Sequence, residues 1–580
     1  MAMTTETAAP TGTGRGAARW GAVAGVAAAA AGLGVAELVA VLIGPRSAPV
    51  VAVGGVVVDR VPAAVKDAAI AVFGVHDKTA LIVGTMLLLA LAAAGVGALA
   101  VRSLAYAVGG TALFGAIGVA AALTRPGANA AWALPSLAAV AGALTAGWFL
   151  LRLLPADSIV GGARSASVAA AAASGGARTA AVAPGAPGAA PGGDGTGMAV
   201  PGAAGSVDRV GAPVAGGRGR AVAAPDPEAR RRFLKAAGLV VAGAAVAGYA
   251  GRWLSTRLSV SEVRAAVTLP RPVDPAPVLP GGLDPAPDGA TYVTKNEDFY
   301  RIDTALSVPQ VDPESWTLRI HGRVQREITL TWAELLKRPM VERYVTLACV
   351  SNEVGGDLIG NARWLGVPVK DLLDEAGPLD GADQVVSRSA DGWTCGTPTE
   401  ILRDGRDALL AIGMNGEPLP VEHGFPVRMV VPGLYGYVSA CKWITEIELT
   451  SFADFDAYWV PRGWSARGPI KTQSRIDTPR RKATAGTVTV AGVAWAQHVG
   501  VTKVEVSVDD GPWTAAVLHP SVSTDTWCQW SYPWAATPGE HTLRVRATDA
   551  GGAVQTEAEA PVAPDGATGW HTVKVEVTAP

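Results

Sequence analysis

Cys349 is the residue of this 580-residue chain whose type and setting point most directly to chemistry. It stands near the end of a run of strand-forming residues, VTLACVSN over 345–352, and a polar, glycine-rich stretch follows it. Free cysteine is among the most buried residue types, so an inert core thiol is one interpretation. Half of a disulfide is a second, and a thiolate that reacts or binds a metal is a third. The residue by itself leaves all three open.

Three other chemically capable side chains, His423, Arg428 and Lys442, fall within one continuous block, MNGEPLPVEHGFPVRMVVPGLYGYVSACKW. An arginine can bind a phosphate group through two parallel N–H donors. In isolation, however, His423 is read more simply as a core histidine and Arg428 as part of a surface ion pair. The other three cysteines show no Cys-x-x-Cys spacing, so neither a zinc knuckle nor a disulfide lattice is indicated.

Together these two segments resemble the molybdenum-cofactor domain of the sulfite oxidase family. In that family a Thr-Leu-x-Cys-x-Gly/Ser-Asn segment supplies the only protein ligand to molybdenum, and an Ala-Arg-Trp-x-Gly-Val segment follows; this chain has TLACVSN and ARWLGV. The second block matches the family pattern Met-Asn-Gly-x-Pro-Leu-Pro…His-Gly-Phe-Pro-x-Arg…Lys-Trp. The resemblance covers residues 291–580 in order. It implies a molybdenum–molybdopterin cofactor with Cys349 as the metal ligand, a role that suits a soft sulfur donor.

The resemblance also implies which residues bind the cofactor. His423 and Arg428 are expected to hold the pterin and its phosphate, and Lys442 to close the site. The segment FYRID aligns with a Phe-x-Arg-Asn-His contact segment of the family; it keeps Arg301 but lacks the Asn and the His. The complete set of implied cofactor-binding residues is Tyr300, Arg301, Cys349, Asn352, Asp391, His423, Arg428 and Lys442.

The chain departs from the sulfite-oxidising pattern at positions that contact substrate. Glu353 and Val354 stand where two arginines help to cage the anion, so sulfite capture should be weaker. Trp464 aligns with the family's active-site tyrosine, although a packing aromatic is an equally good interpretation. We expect the catalytic residues to be Cys349, Arg301, Arg462 and Trp464. The expected reaction is oxygen-atom transfer on a small substrate, either sulfite or a sulfoxide-type compound.

The N-terminal quarter of the chain is predicted to cross a membrane. Four Ala/Gly-rich apolar stretches there each approach the ~20 residues that a helix needs to cross the hydrocarbon. They lie at about 20–45, 79–101, 104–124 and 130–151. Arginines before the first stretch, between the second and third, and after the fourth place the N-terminus in the cytoplasm by the positive-inside tendency. Residues 1–155 are therefore expected to form a four-span membrane domain.

An export signal is predicted inside the chain. Residues 156–229 are low-complexity Ala, Gly, Pro and Ser, and should form a disordered linker. The segment ARRRFLK that begins at Ala229 resembles the twin-arginine export signal, with alanine in place of the usual Ser or Thr. The simpler alternative is a membrane helix with a basic flank. Residues 230–252 are interpreted as a twin-arginine-type signal and fifth span, which places everything that follows on the outer face of the cell membrane.

The rest of the chain divides into three parts. Residues 253–290 are proline-rich and predict an extended stalk. Short helices and strands alternate over 291–478, which predicts an α+β domain of the sulfite-oxidase molybdopterin type. Residues 479–580 alternate apolar and polar positions, which predicts an immunoglobulin-like β-sandwich where the family has its dimerisation domain. The fold class is thus multidomain: all-α membrane helices, an α+β domain and a β-sandwich.

The expected partners follow from charge and histidine content. The net charge is −2 and no long basic stretch occurs, so nucleic-acid binding is not expected. His76 is the only histidine before residue 321, and no Cys-x-x-Cys-His occurs, so we expect no haem in this chain. We expect a small-molecule substrate, the lipid bilayer, a separate redox protein as electron partner, and a homodimer. The rival interpretation is a cofactor-free, anchored extracellular binding module that uses the immunoglobulin-like domain.

Overall fold

A computed structural model describes residues 13–62, 65, 72, 77–154, 227–257 and 260–580. The chain forms two compact units. The first comprises Met1–Leu33, Leu88–Phe114 and Ala139–Ala245, and the second comprises Gly34–Leu87, Gly115–Ala138 and Val246–Pro580. Only the last three residues of the predicted linker, 156–229, are described, so that prediction lies outside the described residues.

The N-terminal part of the chain is helical. Its helices are α1 (Thr13–Ile43), α2 (Pro49–Arg60), α3 (Asp77–Ala100), α4 (Leu104–Leu123), α5 (Leu134–Arg152) and α6 (Pro227–Arg257). Five stretches in the described residues are long and apolar enough to cross a membrane: Gly16–Ile43, Thr79–Ala100, Leu104–Leu123, Ala130–Arg152 and Pro227–Gly251. They coincide with the four predicted spans and the fifth segment.

Small residues let the helices of the first unit pack closely. A Cβ built on Gly21 of α1 would lie 2.4 Å from the carbonyl oxygen of Gly97 of α3, and the reverse distance is 2.2 Å. Such small-residue contacts are common between membrane helices, where close backbone approach replaces the hydrophobic effect. Trp20 of α1 packs edge-on against Phe233 of α6, with ring centroids 5.4 Å apart. Phe233 belongs to the RRRFLK segment.

The α+β domain is built on two five-stranded sheets. One sheet has the order β2-β1-β10-β5-β6, and the other has the order β3-β4-β7-β8 with β9 paired to β7. The strands are β1 (Thr317–Gly322), β2 (Ile328–Thr331), β3 (Val341–Ala348), β4 (Ile359–Pro368), β5 (Gln384–Ser389), β6 (Thr394–Pro398), β7 (Leu409–Met414), β8 (Glu417–Pro418), β9 (Arg428–Val430) and β10 (Ile444–Thr450). Short helices accompany them: α7 (Ser261–Ala266), α8 (Trp332–Leu335), α9 (Val369–Ala376) and α10 (Gly436–Ser439). The amphipathic α9 buries Leu372 and Leu373 in the main core of the domain.

The C-terminal domain is a sandwich of two antiparallel-rich sheets, as the alternating pattern predicts. Their orders are β11-β13-β17-β16 and β12-β19-β18-β14-β15. The strands are β11 (Gln473–Thr478), β12 (Lys482–Thr484), β13 (Gly486–Trp495), β14 (Val501–Val508), β15 (Thr514–Ala515), β16 (Val517–Leu518), β17 (Cys528–Ala536), β18 (Gly539–Asp549) and β19 (His571–Thr578). Because β11 pairs with β13, the sandwich begins at residue 473 and not at the expected 479.

The segment predicted as a free stalk is bound to the globular domains. Val260 is buried in an apolar cluster of the α+β domain. The N–H of Val273 donates to the carbonyl of Met340 at 2.8 Å. Further along, Gln529 of β17 donates to the carboxylate of Asp284 at 2.9 Å. The backbone lacks regular structure over most of 267–290, as its prolines predict, but it lies along the α+β domain and the sandwich.

Candidate active site

A cavity of about 1240 Å³, measured out to its open mouth, lies in the α+β domain. All the predicted site residues except Arg301 and Asn352 line it, namely Tyr300, Cys349, Asp391, His423, Arg428, Lys442, Arg462 and Trp464. These side chains come from segments that are far apart in the sequence. The fold therefore brings most of the predicted site together in one place.

Cys349 reaches the cavity because β3 ends one residue before it. Its N–H continues the strand pairing by donating to the carbonyl of Leu358 at 2.9 Å. Its Sγ accepts the N–H of Ser351 at 3.4 Å. The residue is 9% exposed, and burial raises the pKa of its thiol, so a metal must displace the proton on binding. No disulfide joins the four cysteines, all of which are described, which removes the disulfide interpretation.

The loop after Cys349 is shaped by Asn352 and supported by the sandwich. Asn352 points into the loop, where its Oδ1 accepts the N–H of Leu358 at 2.8 Å. Asn352 does not line the cavity, and its contact with the cofactor stays a prediction. Arg475 of β11 donates Nη1–H to the carbonyl of Gly356 at 2.7 Å. Arg475 and its partner Asp477 are both buried, so the support comes from the interior of the protein.

Arg428 is a buried cation without a carboxylate partner among the described residues. It is 5% exposed, and its Nη1 donates to the carbonyl of His423 at 3.1 Å. Its guanidinium carbon lies 5.0 Å from the ring centre of Trp364. Burial lowers its pKa to about 10, which still leaves it charged at neutral pH. A buried, unpaired charge is costly, so its position indicates an anionic ligand.

His423 is the neutral neighbour of this cation. Its Nε2–H donates to the carbonyl of Asn296 at 3.1 Å. Burial, together with the charge of Arg428, lowers the pKa of His423 to about 4. Gly424 has φ +116°, and a Cβ there would lie 2.9 Å from the Cβ of Arg428. Only glycine allows the chain to turn this tightly between the two side chains.

Lys442 is the second buried cation, and it is paired. Its Nζ donates to Asp303 Oδ2 at 2.8 Å and to the carbonyl of Glu422 at 3.2 Å. Burial lowers the pKa of Lys442 to about 8. Asp303 also accepts Nε–H of Arg301 at 2.9 Å, and the Arg301 side chain is 41% exposed. Arg301 therefore holds Asp303 from outside the lining of the cavity, and its contacts with cofactor and substrate stay a prediction.

Tyr300 and Asp391 occupy the positions expected of cavity residues. Tyr300 stacks on Phe299, with ring centroids 5.2 Å apart. Burial raises the pKa of its hydroxyl well above the usual range, so the group remains a hydrogen-bond donor at neutral pH. Asp391 lines the cavity while its Oδ1 accepts the N–H of Trp393 at 3.2 Å.

Aromatic rings form one wall of the cavity. The rings of Trp459 and Trp464 lie 6.2 Å apart, and Tyr437 lies 5.9 Å from Trp464. Trp393 also lines the cavity, and Arg462 adds a cation to this wall. Sequence reasoning missed Trp393, Trp459 and Tyr437, although each lies within or beside a segment already singled out. Only the folded chain shows that they face the same space.

Comparisons with known proteins agree with this geometry. A family model described as "Oxidoreductase molybdopterin binding domain" matches residues 305–459, and one described as "Bacterial Ig domain" matches residues 473–545. Sulfite oxidase of Gallus gallus is 30% identical over 324 residues, which cover 47% of this chain and 70% of that protein. This chain belongs to the sulfite oxidase family of molybdopterin oxidoreductases.

Other known proteins match over different lengths. Mitochondrial sulfite oxidase of Homo sapiens is 29% identical over 357 residues, 52% of this chain, and the chain spans 65% of the human protein's length. An uncharacterised oxidoreductase of Bacillus subtilis, YuiH, is 33% identical over 157 residues, covering 27% of this chain and 76% of YuiH. The solved sulfane dehydrogenase SoxCD of Paracoccus pantotrophus is similar with a TM-score of 0.44 and 23% identity, covering 50% of this chain and 82% of that one.

The residues of the cavity fit the molybdopterin that the family uses. Cys349 offers a soft sulfur donor, which suits the molybdenum of that cofactor. The unpaired guanidinium of Arg428 suits a phosphate, because its planar fork can donate to two oxygens. The neutral His423 and the hydroxyl of Tyr300 offer polar contacts for a heterocyclic ring.

Proposed function

We propose that this chain is a membrane-tethered molybdopterin oxidoreductase that transfers an oxygen atom to or from a small sulfur compound outside the cytoplasm. The observation that carries the proposal is that Cys349 and the unpaired Arg428 line the same cavity. An inert core would explain neither a thiol at a cavity wall nor a buried charge without a counter-ion. Two-electron oxygen-atom transfer is the chemistry that the cofactor supplies when it is bound.

The residues of the chain bind, orient and exclude water in this proposal. Cys349 anchors the metal and gives up its proton, because the thiolate is the ligand form of cysteine. Arg428 holds the phosphate, while Lys442, fixed by Asp303, closes that side of the site. Tyr300 remains a neutral donor. The tryptophan wall keeps bulk water from the reacting group, which strengthens each of these polar contacts.

The cavity favours a sulfoxide-type substrate over sulfite. Glu353 is exposed, and Val354 lies against the sandwich, 3.6 Å from the position of a Cβ built on Gly569. Neither lines the cavity, so the cationic cage of the sulfite-oxidising pattern is not formed by these residues. Arg462 is then the cation at the aromatic wall, and one guanidinium suits a single S=O oxygen. Sulfite oxidation remains the second candidate, because the family membership favours it.

Membrane attachment and an outer location are part of the proposal. Five apolar helices have the length and composition to span a bilayer. The last of them, α6, contains the RRRFLK segment near its start, which is typical of export by the twin-arginine route. We expect electrons to pass to or from a separate redox protein, and the sandwich to support a homodimer. No haem is expected in this chain.

The rival function, a cofactor-free binding module, has less support. It accounts for the helices and the immunoglobulin-like domain. It does not account for the unpaired charge of Arg428, and every curated relative described above that has an assigned activity is an oxidase. A measurement of the molybdenum content separates the two functions directly, because a cofactor-free binding module contains none.

Molybdenum content and turnover of the full-length protein test the proposal. The wild type is expected to contain molybdenum and to turn over methionine sulfoxide or sulfite. Cys349→Ser should fold normally but lose more than about 100-fold in activity. Loss of a residue that only supports a metal ligand costs up to about 100-fold, and Cys349 is proposed to be the ligand itself. X-ray absorption should show one sulfur fewer at the metal in this variant.

Cys528→Ser is the matched control, because Cys528 is buried in β17 and does not line the cavity. It should retain activity and the full sulfur coordination. Full activity in Cys349→Ser, or a wild-type protein without molybdenum, would overturn the proposal.

A further inference from the structure

Two loops at the rim of the cavity are held by residues from the N-terminal helical part. Both sides of this contact belong to the second compact unit, which includes α2 and the turn after α4. Arg462 donates Nη2–H to the backbone carbonyl of Asp59, near the end of α2, at 3.0 Å. Arg46, which precedes α2, donates to the carbonyl of Ala390 at 2.7 Å. Ala390 directly precedes the cavity residue Asp391.

Asp59 is itself fixed from two directions. Its carboxylate forms an ion pair with Arg125 at 2.7 Å and accepts the hydroxyl of Tyr458 at 3.4 Å. The ring of Tyr458 lies 3.7 Å from the guanidinium carbon of Arg462, and the carbonyl of Tyr458 accepts a second N–H from it. Asp59 and Tyr458 therefore both contact the guanidinium of Arg462 and hold it in place.

Within its own loop, Arg462 contacts the ring and the carbonyl of Tyr458, and the turn that carries it is not buried. Arg462 ends the three-residue helical turn Val460–Arg462, in which no residue is buried. Gly463 follows with φ +91° and reverses the chain. A free arginine side chain has many rotamers, and fixing them on binding costs free energy. Because Asp59 and Tyr458 hold the Arg462 side chain in place beforehand, that cost is smaller when a substrate binds.

We infer that the end of α2 supports the substrate pocket from behind its wall: Asp59, held by Arg125, positions Arg462 to bind the oxygen of an S-oxo substrate. The ligand class is an oxyanion or an S=O group, to which a guanidinium donates charge-assisted hydrogen bonds. The N-terminal helical part then sets specificity as well as acting as an anchor. The inference rests on the proposed function, because it takes the cavity to be the place where substrate binds.

Steady-state kinetics of the full-length protein test this positioning role. Asp59→Ala keeps the backbone carbonyl that Arg462 contacts but removes the carboxylate that ties this carbonyl to Arg125 and Tyr458. It is expected to raise KM about tenfold, because a less well fixed Arg462 loses one well-oriented charged hydrogen bond to the substrate. The compound assayed is whichever of sulfite and methionine sulfoxide the wild type turns over. The kcat should stay within about twofold, because the lost interaction acts on binding. Molybdenum content should be unchanged.

Two side-chain variants complete the comparison. Asp59→Asn keeps an acceptor for the Tyr458 hydroxyl but loses the ion pair with Arg125, so its KM should be intermediate. Arg60→Ala alters the exposed neighbour of Asp59 and is the matched control, with a KM equal to that of the wild type.

A double-mutant cycle separates positioning from general support of the fold. In an Arg462→Ala background, Asp59→Ala should have no further effect on KM, because the residue that it positions is gone. Additive effects, or an unchanged KM in Asp59→Ala, would overturn the inference. If Asp59→Ala does not accumulate, Arg125→Ala removes the other half of the ion pair and is judged by the same criteria. A wild type without molybdenum would instead overturn the proposed function, and this inference with it.

Discussion

Arg428 and Lys442 are both buried cations of one cavity, yet they differ in their partners. Lys442 lies 2.8 Å from the carboxylate of Asp303. Among the described residues, the hydrogen bonds of Arg428 go to backbone carbonyl groups, and its guanidinium carbon lies 5.0 Å from the ring centre of Trp364. Because an unpaired charge lowers the stability of the folded chain, a protein retains one where a ligand compensates it. Arg428 is thus the strongest single-residue indication of an anionic cofactor.

Replacing Arg428 should separate cofactor binding from folding. Arg428→Gln is expected to reduce molybdenum retention about 10–100-fold, the usual cost of losing a residue that supports a metal site. The same change should leave the cofactor-free protein at least as stable as the wild type, because it removes an unpaired buried charge. Molybdenum content after dialysis, and the thermal midpoint of protein produced without molybdenum, measure the two effects.

Arg388→Gln serves as the matched control for this prediction. Arg388 is paired with Glu448 at 2.6 Å and with Glu446 at 3.3 Å, and it does not line the cavity. Its replacement should leave molybdenum retention unchanged. A clearly lower midpoint of cofactor-free Arg428→Gln, combined with normal molybdenum retention, would contradict the assignment of Arg428.

The sequence could single out residues that lie in contiguous motifs, and the structure brings Cys349, His423, Arg428 and Lys442 to one cavity. It could not predict Asp303 as a partner of Lys442, because 139 residues separate the two. Motif matching also selected Arg301, whose side chain is 41% exposed and paired with Asp303. A motif gives the residue type at a position, but the direction of the side chain depends on neighbours that the motif does not contain.

At the scale of secondary-structure elements, the Cys349 loop is supported by two strands of the sandwich. Ile476 of β11 donates its N–H to Nδ1 of His571, the first residue of β19, at 2.9 Å. Gly355 in the loop has φ +77°, and a Cβ there would lie 2.2 Å from the His571 ring. The sandwich is therefore expected to hold the metal-ligand loop in shape, beyond any role in dimer formation.

Acidification should weaken this support. Burial, together with the charge of Arg475, lowers the pKa of His571 to about 4, whereas an unfolded histidine has a pKa of about 6.5. Between these values the unfolded chain binds a proton that the folded chain does not. The stabilisation is therefore complete above about pH 6.5 and falls by up to about 3 kcal/mol as the pH drops toward 4. The thermal midpoint of the full-length protein across this range measures the loss.

His571→Asn tests the assignment of the pH effect. The asparagine oxygen can still accept the N–H of Ile476 but does not titrate, so the midpoint of this variant should depend less on pH. His519→Asn, at another histidine of the sandwich, is the control and should behave like the wild type. If His571→Asn and the wild type lose the same stability on acidification, another group is responsible.

The conformation of a tight turn follows more directly from its residues than a domain boundary does. Asn415 and Gly416 adopt φ values of 52° and 86°, as an Asn-Gly hairpin requires, and they join β7 to β8. The start of the sandwich was placed too late, because the strand Gln473–Thr478 has no sequence feature that assigns it to one domain. Its pairing with β13 is a long-range contact, which local patterns do not encode.

At the scale of the whole molecule, composition predicted the order of the parts but not their contacts. The apolar helices, the α+β domain and the sandwich follow one another as expected. The contacts of α2 with the cavity rim join residues 344 and 403 positions apart. The proline content of the segment 260–290 predicts an extended stalk. In the structure this segment lies along the α+β domain and the sandwich. Both features depend on surfaces that exist only after the chain has folded.

The bound segment predicts where a soluble form of the enzyme should begin. A form that starts at Val260 should be stable and contain molybdenum. One that starts at residue 291 loses the buried Val260, the Val273–Met340 bond and the Asp284–Gln529 bond, so its thermal midpoint should be lower by about 5 °C or more. Equal midpoints would show that the segment adds no stability. Both forms lack α2, so each should show the raised KM expected of Asp59→Ala.

The short chain segment between α6 and the α+β core limits the distance between the catalytic domain and the end of α6. Only two residues separate Arg257, the last of α6, from Val260, which is buried in that core. A connection of this length spans at most about 11 Å between the two residues. With α6 crossing the bilayer as proposed, the catalytic domain stays close to the end of this helix. A separate electron partner of the kind proposed would then have to approach the enzyme near the lipid surface.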